Sequence, residues 1–402
     1  MTILHRSFPL LLAVVLNHHA PAQSQWPTNR WPTVSPSAVG LDEKALAALD
    51  SEILGGKYGY IDGMLVIRNG KVAYDKAYKF DYDSIYSKEA KVRSALNAHD
   101  PSGPYNYFNP WWHPFYRRGN LHTLQSVTKT ITSVVIGVAT KRKDFPSLDT
   151  PILSFFDTTK VANIDDRKRR IKIRHLLTMS DGFDWNENLP YNDPNNHAVQ
   201  MEASFDWVQL AIDRPMANEP GRVFNYNSGA TQLLSHIFRA ATGKDVEEYA
   251  SKHLFAPLGI HQFYWKRTST GLPDTEGGLF LEPRDLAKIW YLFLRNGKWD
   301  GSDILEPEWV KASITPSMTV SPDGTKYGLK WWLVPYSSDS SRFAWAGSGF
   351  GGQYPVAFQE YDLIMVFTGW NILPEGSRLS RKIAIEQILS AVMGRPSSDK
   401  KK

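Results

Sequence analysis

Residues 121–143, LHTLQSVTKTITSVVIGVATKRK, place a serine and a lysine one helical turn apart at the start of an apolar run. Ser126 and Lys129 are that pair. Residues three apart share a face of a helix, so a lysine at this spacing can reach the serine hydroxyl. A serine hydroxyl is a poor nucleophile near neutral pH and needs a base within hydrogen-bond reach and donors for the oxyanion formed after attack. Beyond Thr130 the apolar residues Ile131, Val134, Val135, Ile136, Val138 and Ala139 lie nearly all round, the pattern of a buried helix. Its first turn is expected to open into a cleft, where the positive end of the helix favours negative charge on Ser126. Burial is expected to depress the Lys129 pKa, as a lysine base at neutral pH requires.

The S-x-x-K spacing occurs twice more, at Ser397 with Lys400 and at Ser398 with Lys401. Both lie in the tail PSSDKKK, which has no apolar partner and reads as solvated. The buried helix behind Ser126 sets that pair apart.

Working outward, 402 residues with 42% hydrophobic, 22% charged and 13% aromatic content can bury a large core in one large or two joined domains. The formal net charge is +5, and much of the excess sits in the C-terminal lysines and the run Arg167 to Arg170. Such runs read as solvated faces, so no nucleic-acid partner is expected. The absence of cysteine excludes a disulfide framework, a thiol nucleophile and a cysteine-ligated metal. The histidines show no H-E-x-x-H or H-x-H-x-D spacing, and no glycine-rich phosphate loop leads from a strand into a helix. No metal, cofactor or obligate protein partner is therefore expected. His175 reads as structural, and Asp181 and Asp184 read as turn residues flanking a glycine.

Residues 1–22 have a basic start at His5 and Arg6, an apolar stretch from Phe8 to Leu16 and an Ala20-Pro21-Ala22 cleavage pattern. This reads as an export signal cut after Ala22, with a periplasmic or secreted product. The apolar run of about ten residues is too short to span a bilayer.

A short helix is expected around Glu43 to Leu54. MLVIRNGKVAYDKAY gives a hairpin, Met64 to Arg68 and Lys71 to Tyr78 about an Asn69-Gly70 turn. Partner strands appear only near the other end, in Phe343 to Ala346, Tyr354 to Phe358 and Leu363 to Thr368. A sheet completed from both ends makes the middle of the chain an insertion. The expected fold class is α/β (α+β), an antiparallel sheet flanked by helices with an inserted, mainly helical domain. The sheet domain takes residues 23–121 and 323–394, the helical domain 122–322, and a basic tail 395–402. The helix Arg381 to Val392 is expected to pack on the sheet. Residues 82–121 hold an aromatic loop with Tyr105, Tyr107, Phe108, Trp111, Trp112, Phe115 and Tyr116. It reads either as a wall of the substrate cleft or as a cover over an apolar side of the fold.

Three motifs in order carry a resemblance: SVTK at Ser126, EPGRVFNYNSG around Tyr226, and WAGSGFGGQYPVAF from Trp345. Together with LLTMSDG and the Gly277-Gly278 pair before a helix at Pro283, they resemble the serine β-lactamase, penicillin-binding protein and esterase superfamily over residues 40–392. The resemblance implies a β-lactamase/transpeptidase-like fold, with Ser126 as nucleophile and Lys129 and Tyr226 sharing its proton network. It implies an oxyanion held by the backbone N–H groups of Ser126 and Ser348, the latter following the triplet Trp345-Ala346-Gly347 in the place of K-T-G. Trp345 stands where a lysine would bind a substrate carboxylate, and Ser228 where an asparagine would contact a substrate amide. Both departures favour an ester or small neutral amide over a β-lactam or a D-Ala-D-Ala peptide. They fit the esterase branch and the branch of 6-aminohexanoate-dimer hydrolase, in which an extra tyrosine, here Tyr191, assists amide cleavage. The alternatives are a β-lactamase or D-Ala-D-Ala peptidase, and a non-catalytic binding protein of the same fold.

Overall fold

Asn69 and Gly70 both take left-handed backbone angles, φ 53° and 70°, which match the twist a two-residue hairpin turn needs. A Cβ on Gly70 would stand 2.6 Å from the Tyr291 hydroxyl, so the turn also needs glycine for that approach. In the computed structural model, which describes residues 26–339, 341–373 and 378–396, this hairpin begins an eight-stranded antiparallel sheet. Its strands are β1 (Ile61–Arg68), β2 (Lys71–Ala77), β3 (Met318–Thr319), β4 (Lys326–Tyr327), β5 (Trp332–Pro335), β6 (Phe343–Ala346), β7 (Tyr354–Phe358) and β8 (Leu363–Gly369). The spatial order is β2-β1-β8-β7-β6-β5-β4-β3. β1 lies against β8 with Met64 opposite Phe367, so the two ends of the chain close one sheet.

Alternation along the strands divides the core. Leu65, Ile67, Leu333, Trp345, Ala357, Ile364 and Val366 face the helical half of the molecule. Met64, Val66, Val334, Ala344, Ala346, Val356, Met365 and Phe367 face the other way, onto the helices Glu43–Leu54 and Arg381–Ser390. Period-two side-chain direction makes both faces apolar, as a sheet covered on both sides requires. The terminal helix therefore packs where the sequence placed it. β3, β4 and β5 escaped the sequence reading, because two of them have only two residues and cannot show alternation.

The helix Val127–Lys141 is buried continuously from Val127 to Ala139, as its apolar circumference predicts. A Cβ at Gly137 would lie 2.3 Å from Trp309 Nε1, so glycine there lets the two elements touch. The aromatic loop covers an apolar side of the fold and also reaches a pocket. Tyr82, Tyr86 and Phe108 pack against Trp370 and Ile372, while Leu96 and Tyr107 line a pocket that contains Ser126. No described helix is long and apolar enough to cross a membrane. The residues of the expected export signal and the tail S-x-x-K pairs lie outside the described residues.

Candidate active site

Ser126 sits at the N-cap of the buried helix, and the N–H of Lys129 donates to its carbonyl. Gln125, just before it, is held at φ 48°, a left-handed angle uncommon for a residue with a side chain. The segment is pinned from both sides. Leu124 N–H donates to Leu279 O at 2.9 Å, and Leu279 N–H donates to Thr128 Oγ1 at 3.1 Å. The strand Leu279–Leu281 thus fixes the first turn.

Lys129 Nζ donates to Ser126 Oγ at 2.9 Å, to Glu276 O at 2.8 Å and to Glu276 Oε2 at 2.9 Å. Three acceptors use all three protons of an ammonium. The side chain is 1% exposed, and burial alone would lower its pKa. The adjacent Glu276 carboxylate, helped by Tyr226 and Glu187, outweighs burial and holds Lys129 above its ordinary value. The expected depression of Lys129 is thereby corrected: the ion pair keeps the resting lysine charged. Burial would raise Glu276 in turn, but the Lys129 charge and hydrogen bond hold it below its ordinary value.

Tyr226 completes the group. Its ring centroid lies 5.2 Å from Lys129 Nζ, and it stacks on Trp332 with centroids 5.7 Å apart and planes at 28°. Burial raises its phenol, while the Lys129 charge and the Ser126 hydroxyl pull the other way. The structure brings Ser126, Lys129 and Tyr226 together. Asp181, expected to be a turn residue, holds the turn at Phe183 and is also fully buried. Its Oδ1 accepts from Phe183 N–H at 3.1 Å and from Asn227 Nδ2 at 3.0 Å, which ties the S-D-G turn to the residue after Tyr226. Burial lifts the Asp181 carboxyl to about 6.

The remaining expected site residues divide. A Cβ on Gly349 would lie 2.4 Å from Leu124 O, so the turn after β6 packs directly against the segment that leads to Ser126. Ser348, half-buried, and Gly347 precede that turn, and Gly347 N–H donates to Pro355 O at 2.9 Å. Trp345 is buried in the core and accepts from Trp290 Nε1 on its carbonyl at 2.9 Å. Ser228 and Tyr191 meet on a residue the sequence reading missed. Glu187 accepts from Ser228 Oγ and Tyr191 Oη, each at 2.7 Å, and from Ser228 N and Trp185 Nε1, each at 2.8 Å. Four donors on one buried carboxylate explain why Ser228 is oriented toward Glu187.

Glu202 was missed as well. It lines the Ser126 pocket with Glu276, Tyr107, Tyr191 and Phe350, and Tyr107 Oη donates to it at 2.6 Å. Burial and then the neighbouring Glu276 push its carboxyl well above its ordinary value, while Glu276 is held below its own. Two carboxyls in one buried site cannot both carry charge cheaply. No cluster of metal-ligating side chains occurs among the described residues.

The antiparallel sheet with its helical half is the fold of the serine β-lactamases and transpeptidases. The chain belongs to the Beta-lactamase family, whose pattern matches residues 58–388. It is 25% identical over 213 residues to monacolin J acid methylbutanoyltransferase of Aspergillus terreus, covering 46% of this chain and 51% of that protein. It is 24% identical over 264 residues to 6-aminohexanoate-dimer hydrolase of Paenarthrobacter ureafaciens, covering 60% of this chain and 64% of that one. The chain thus spans about half the length of the fungal transferase and under two thirds of the hydrolase. Among solved structures, EstCE1, a hydrolase with promiscuous acyltransferase activity, superposes with a TM-score of 0.63 at 18% identity, covering 88% of this chain and 98% of that one. A family VIII carboxylesterase gives 0.60 at 13% identity, covering 90% and 98%.

Proposed function

We propose that this chain is an exported serine hydrolase that cleaves a carboxylic ester or a small amide through an acyl-enzyme on Ser126. The observation that carries this reading is the 2.9 Å contact between Ser126 Oγ and Lys129 Nζ at the mouth of a buried helix.

The resting charge of Lys129 sets the order of proton steps. Lys129 passes a proton to Glu276 across their 2.9 Å bond, which turns the ion pair into a neutral pair. The free amine then takes the Ser126 proton as Oγ attacks the carbonyl carbon. The N–H groups of Ser126 and Ser348 receive the oxyanion. Tyr226, adjoining both Ser126 and Lys129, hands a proton to the leaving oxygen or nitrogen and is recharged from Lys129. Water reverses the sequence: it loses a proton to the same network, the acid departs, and Ser126 recovers its hydrogen.

A second reading keeps the acyl-enzyme but discharges it to an alcohol. The name of the fungal relative, a methylbutanoyltransferase, supports it.

A fluorophosphonate probe is expected to label the purified protein and to fail on Ser126→Ala. Hydrolysis of p-nitrophenyl butyrate without opening of a chromogenic cephalosporin is the expected substrate pattern. The reverse pattern would overturn the ester assignment, and an unlabelled wild type that smaller phosphonates also leave unmodified would overturn the nucleophile.

A further inference from the structure

Met179 and Lys330 are buried, and both hold left-handed backbone angles, φ 56° and 65°. A side chain makes that region costly, whereas glycine occupies it freely. Lys330 carries a second cost. Among the described residues its Nζ finds one acceptor, the Met179 sulfur at 3.2 Å, and a thioether accepts only weakly. Burial, reinforced by the Lys129 charge, holds its pKa well below the usual lysine range. A buried, poorly partnered lysine in a strained conformation works against folding. Such strain persists where the surroundings over-determine it, and it gathers at functional sites.

The contacts of this pair lead to the catalytic group. Met179 holds both neighbours of Tyr226: its carbonyl accepts from Asn225 N–H at 2.8 Å, and its sulfur accepts from Asn227 N–H at 3.3 Å. The sulfur therefore takes two donors, one from the Tyr226 loop and one from Lys330. Lys330 N–H donates to Leu177 O at 3.0 Å, and Lys330 O accepts at 2.8 Å from Oγ1 of Thr130, the residue after Lys129. Two positions beyond Lys330, Trp332 stacks on the Tyr226 ring. The segment that carries Lys330 thus touches the Lys129 helix directly, and reaches Tyr226 through both Met179 and Trp332.

We propose that Lys330 is a positioning residue for Tyr226, acting through the Met179 sulfur. A methionine side chain has three rotatable bonds and adapts to its surroundings, so by itself it would hold Asn227 N–H loosely. The Lys330 ammonium fixes the sulfur, the sulfur fixes the backbone after Tyr226, and the phenol is thereby kept in register with Ser126 and Lys129. The inference rests on Ser126 as the nucleophile and Tyr226 as its proton donor.

The test is a double-mutant cycle of Lys330→Met, which keeps the apolar stem and removes the donor, with Met179→Leu, which keeps the volume and removes the acceptor. With p-nitrophenyl butyrate, each single variant is expected to lower kcat by about 10- to 100-fold, the effect of a misplaced catalytic group, and to leave KM within about threefold. The double variant is expected to lose little more than the worse single one, because both changes cut the same link. Circular dichroism checks folding, and Lys330→Gly, which suits the left-handed angle, replaces the methionine variant should that one not fold. A kcat within about twofold of wild type in folded Lys330→Met, or a double loss equal to the product of the single losses, would overturn the proposal. Crystal structures of the wild type and of Lys330→Met need no turnover and separate this inference from the nucleophile assignment. The Tyr226 ring is expected to move by about 1 Å or more from its place on Trp332. A moved ring supports the positioning role even where no ester is hydrolysed, and an unmoved ring overturns it.

Discussion

Replacing Glu276 by glutamine removes one charge and almost no volume. The backbone carbonyl of residue 276 still accepts from Lys129, as it does at 2.8 Å now, so geometry is largely kept while the counter-charge disappears. Stranding one partner of a buried pair costs about 3–5 kcal/mol. Unfolding entropy of roughly 2.1 cal/mol/K per residue over about 370 residues converts that to a Tm loss of about 4–6 °C. The loss has a pH signature. In the wild type, Glu276 is held below its ordinary value, so its stabilisation is present above the unfolded carboxyl pKa and fades as pH falls through the folded one. Lys129 is held above its ordinary value, so its stabilisation is complete below the unfolded lysine pKa and is lost only as pH rises through the still higher folded value. In Glu276→Gln, burial acts on Lys129 with little opposition, its pKa falls, and the lysine discharges within the alkaline range. The Tm gap between the proteins is therefore widest near pH 6 and narrows toward pH 10 and toward pH 3. Differential scanning calorimetry from pH 3 to 10 measures it. A gap below about 1 kcal/mol, the worth of an exposed pair, or one that is flat with pH, would refute the reasoning. The same variant should also move the pH optimum of ester hydrolysis.

Gly349→Ala places a methyl 2.4 Å from Leu124 O; it should cost about 1–3 kcal/mol in urea unfolding and lower kcat of a p-nitrophenyl ester at least about tenfold by shifting Ser348 from Ser126. Asp181→Asn keeps an acceptor for Phe183 and Asn227, and the carboxyl it replaces is lifted to about 6. That raised group stabilises below its unfolded pKa and loses the benefit as pH rises through about 6, so the variant should gain stability over wild type at pH 8 by up to about 3 kcal/mol, and none at pH 4, in urea titrations. Glu187→Ala leaves four donors without an acceptor and should cost at least about 3 kcal/mol, with Tm as the readout.

Much of the fold was legible because short-range signals carried it. The Asn69-Gly70 turn, the alternation in the strands on either side of it and the apolar circumference of residues 131–139 each have one structural solution. The three-motif order placed Ser126, Lys129 and Tyr226, which the structure brings into one group. The carboxylates were not legible. Glu187 and Glu276 sit in polar loops and Glu202 in the short helix His197–Ala203, stretches whose local pattern is that of solvated residues, and long-range packing draws them inward. Lys129 shows the consequence: burial was visible in sequence, and the sign of its pKa shift depended on Glu276, 147 positions away.

The stretch D-T-E-G-G, residues 274–278, shows how one short loop can set the charge state of the whole site. Asp274 Oδ1 accepts from the N–H groups of Glu276 at 3.1 Å and Gly277 at 2.8 Å, so the aspartate shapes the turn that aims Glu276 at Lys129. A Cβ on Gly278 would lie 2.6 Å from the Asp274 Cβ, which is why the turn closes on a glycine. Behind Asp274 lies Lys266, fully buried, 3.5 Å from its carboxylate and 4.3 Å from the centre of the Tyr105 ring. Burial raises the Asp274 carboxyl to about 6 against the pull of Lys266, while Lys129 and then Lys266 hold Glu276 below its ordinary value against burial. Along this row Lys129 pairs with Glu276 and Lys266 with Asp274, so each buried cation faces a carboxyl group. A proton moved from Lys129 to Glu276 changes no net charge within it. The shifts that hold Lys129 above and Glu276 below their ordinary values also set the cost of that exchange, since each unit of pKa difference is worth about 1.4 kcal/mol.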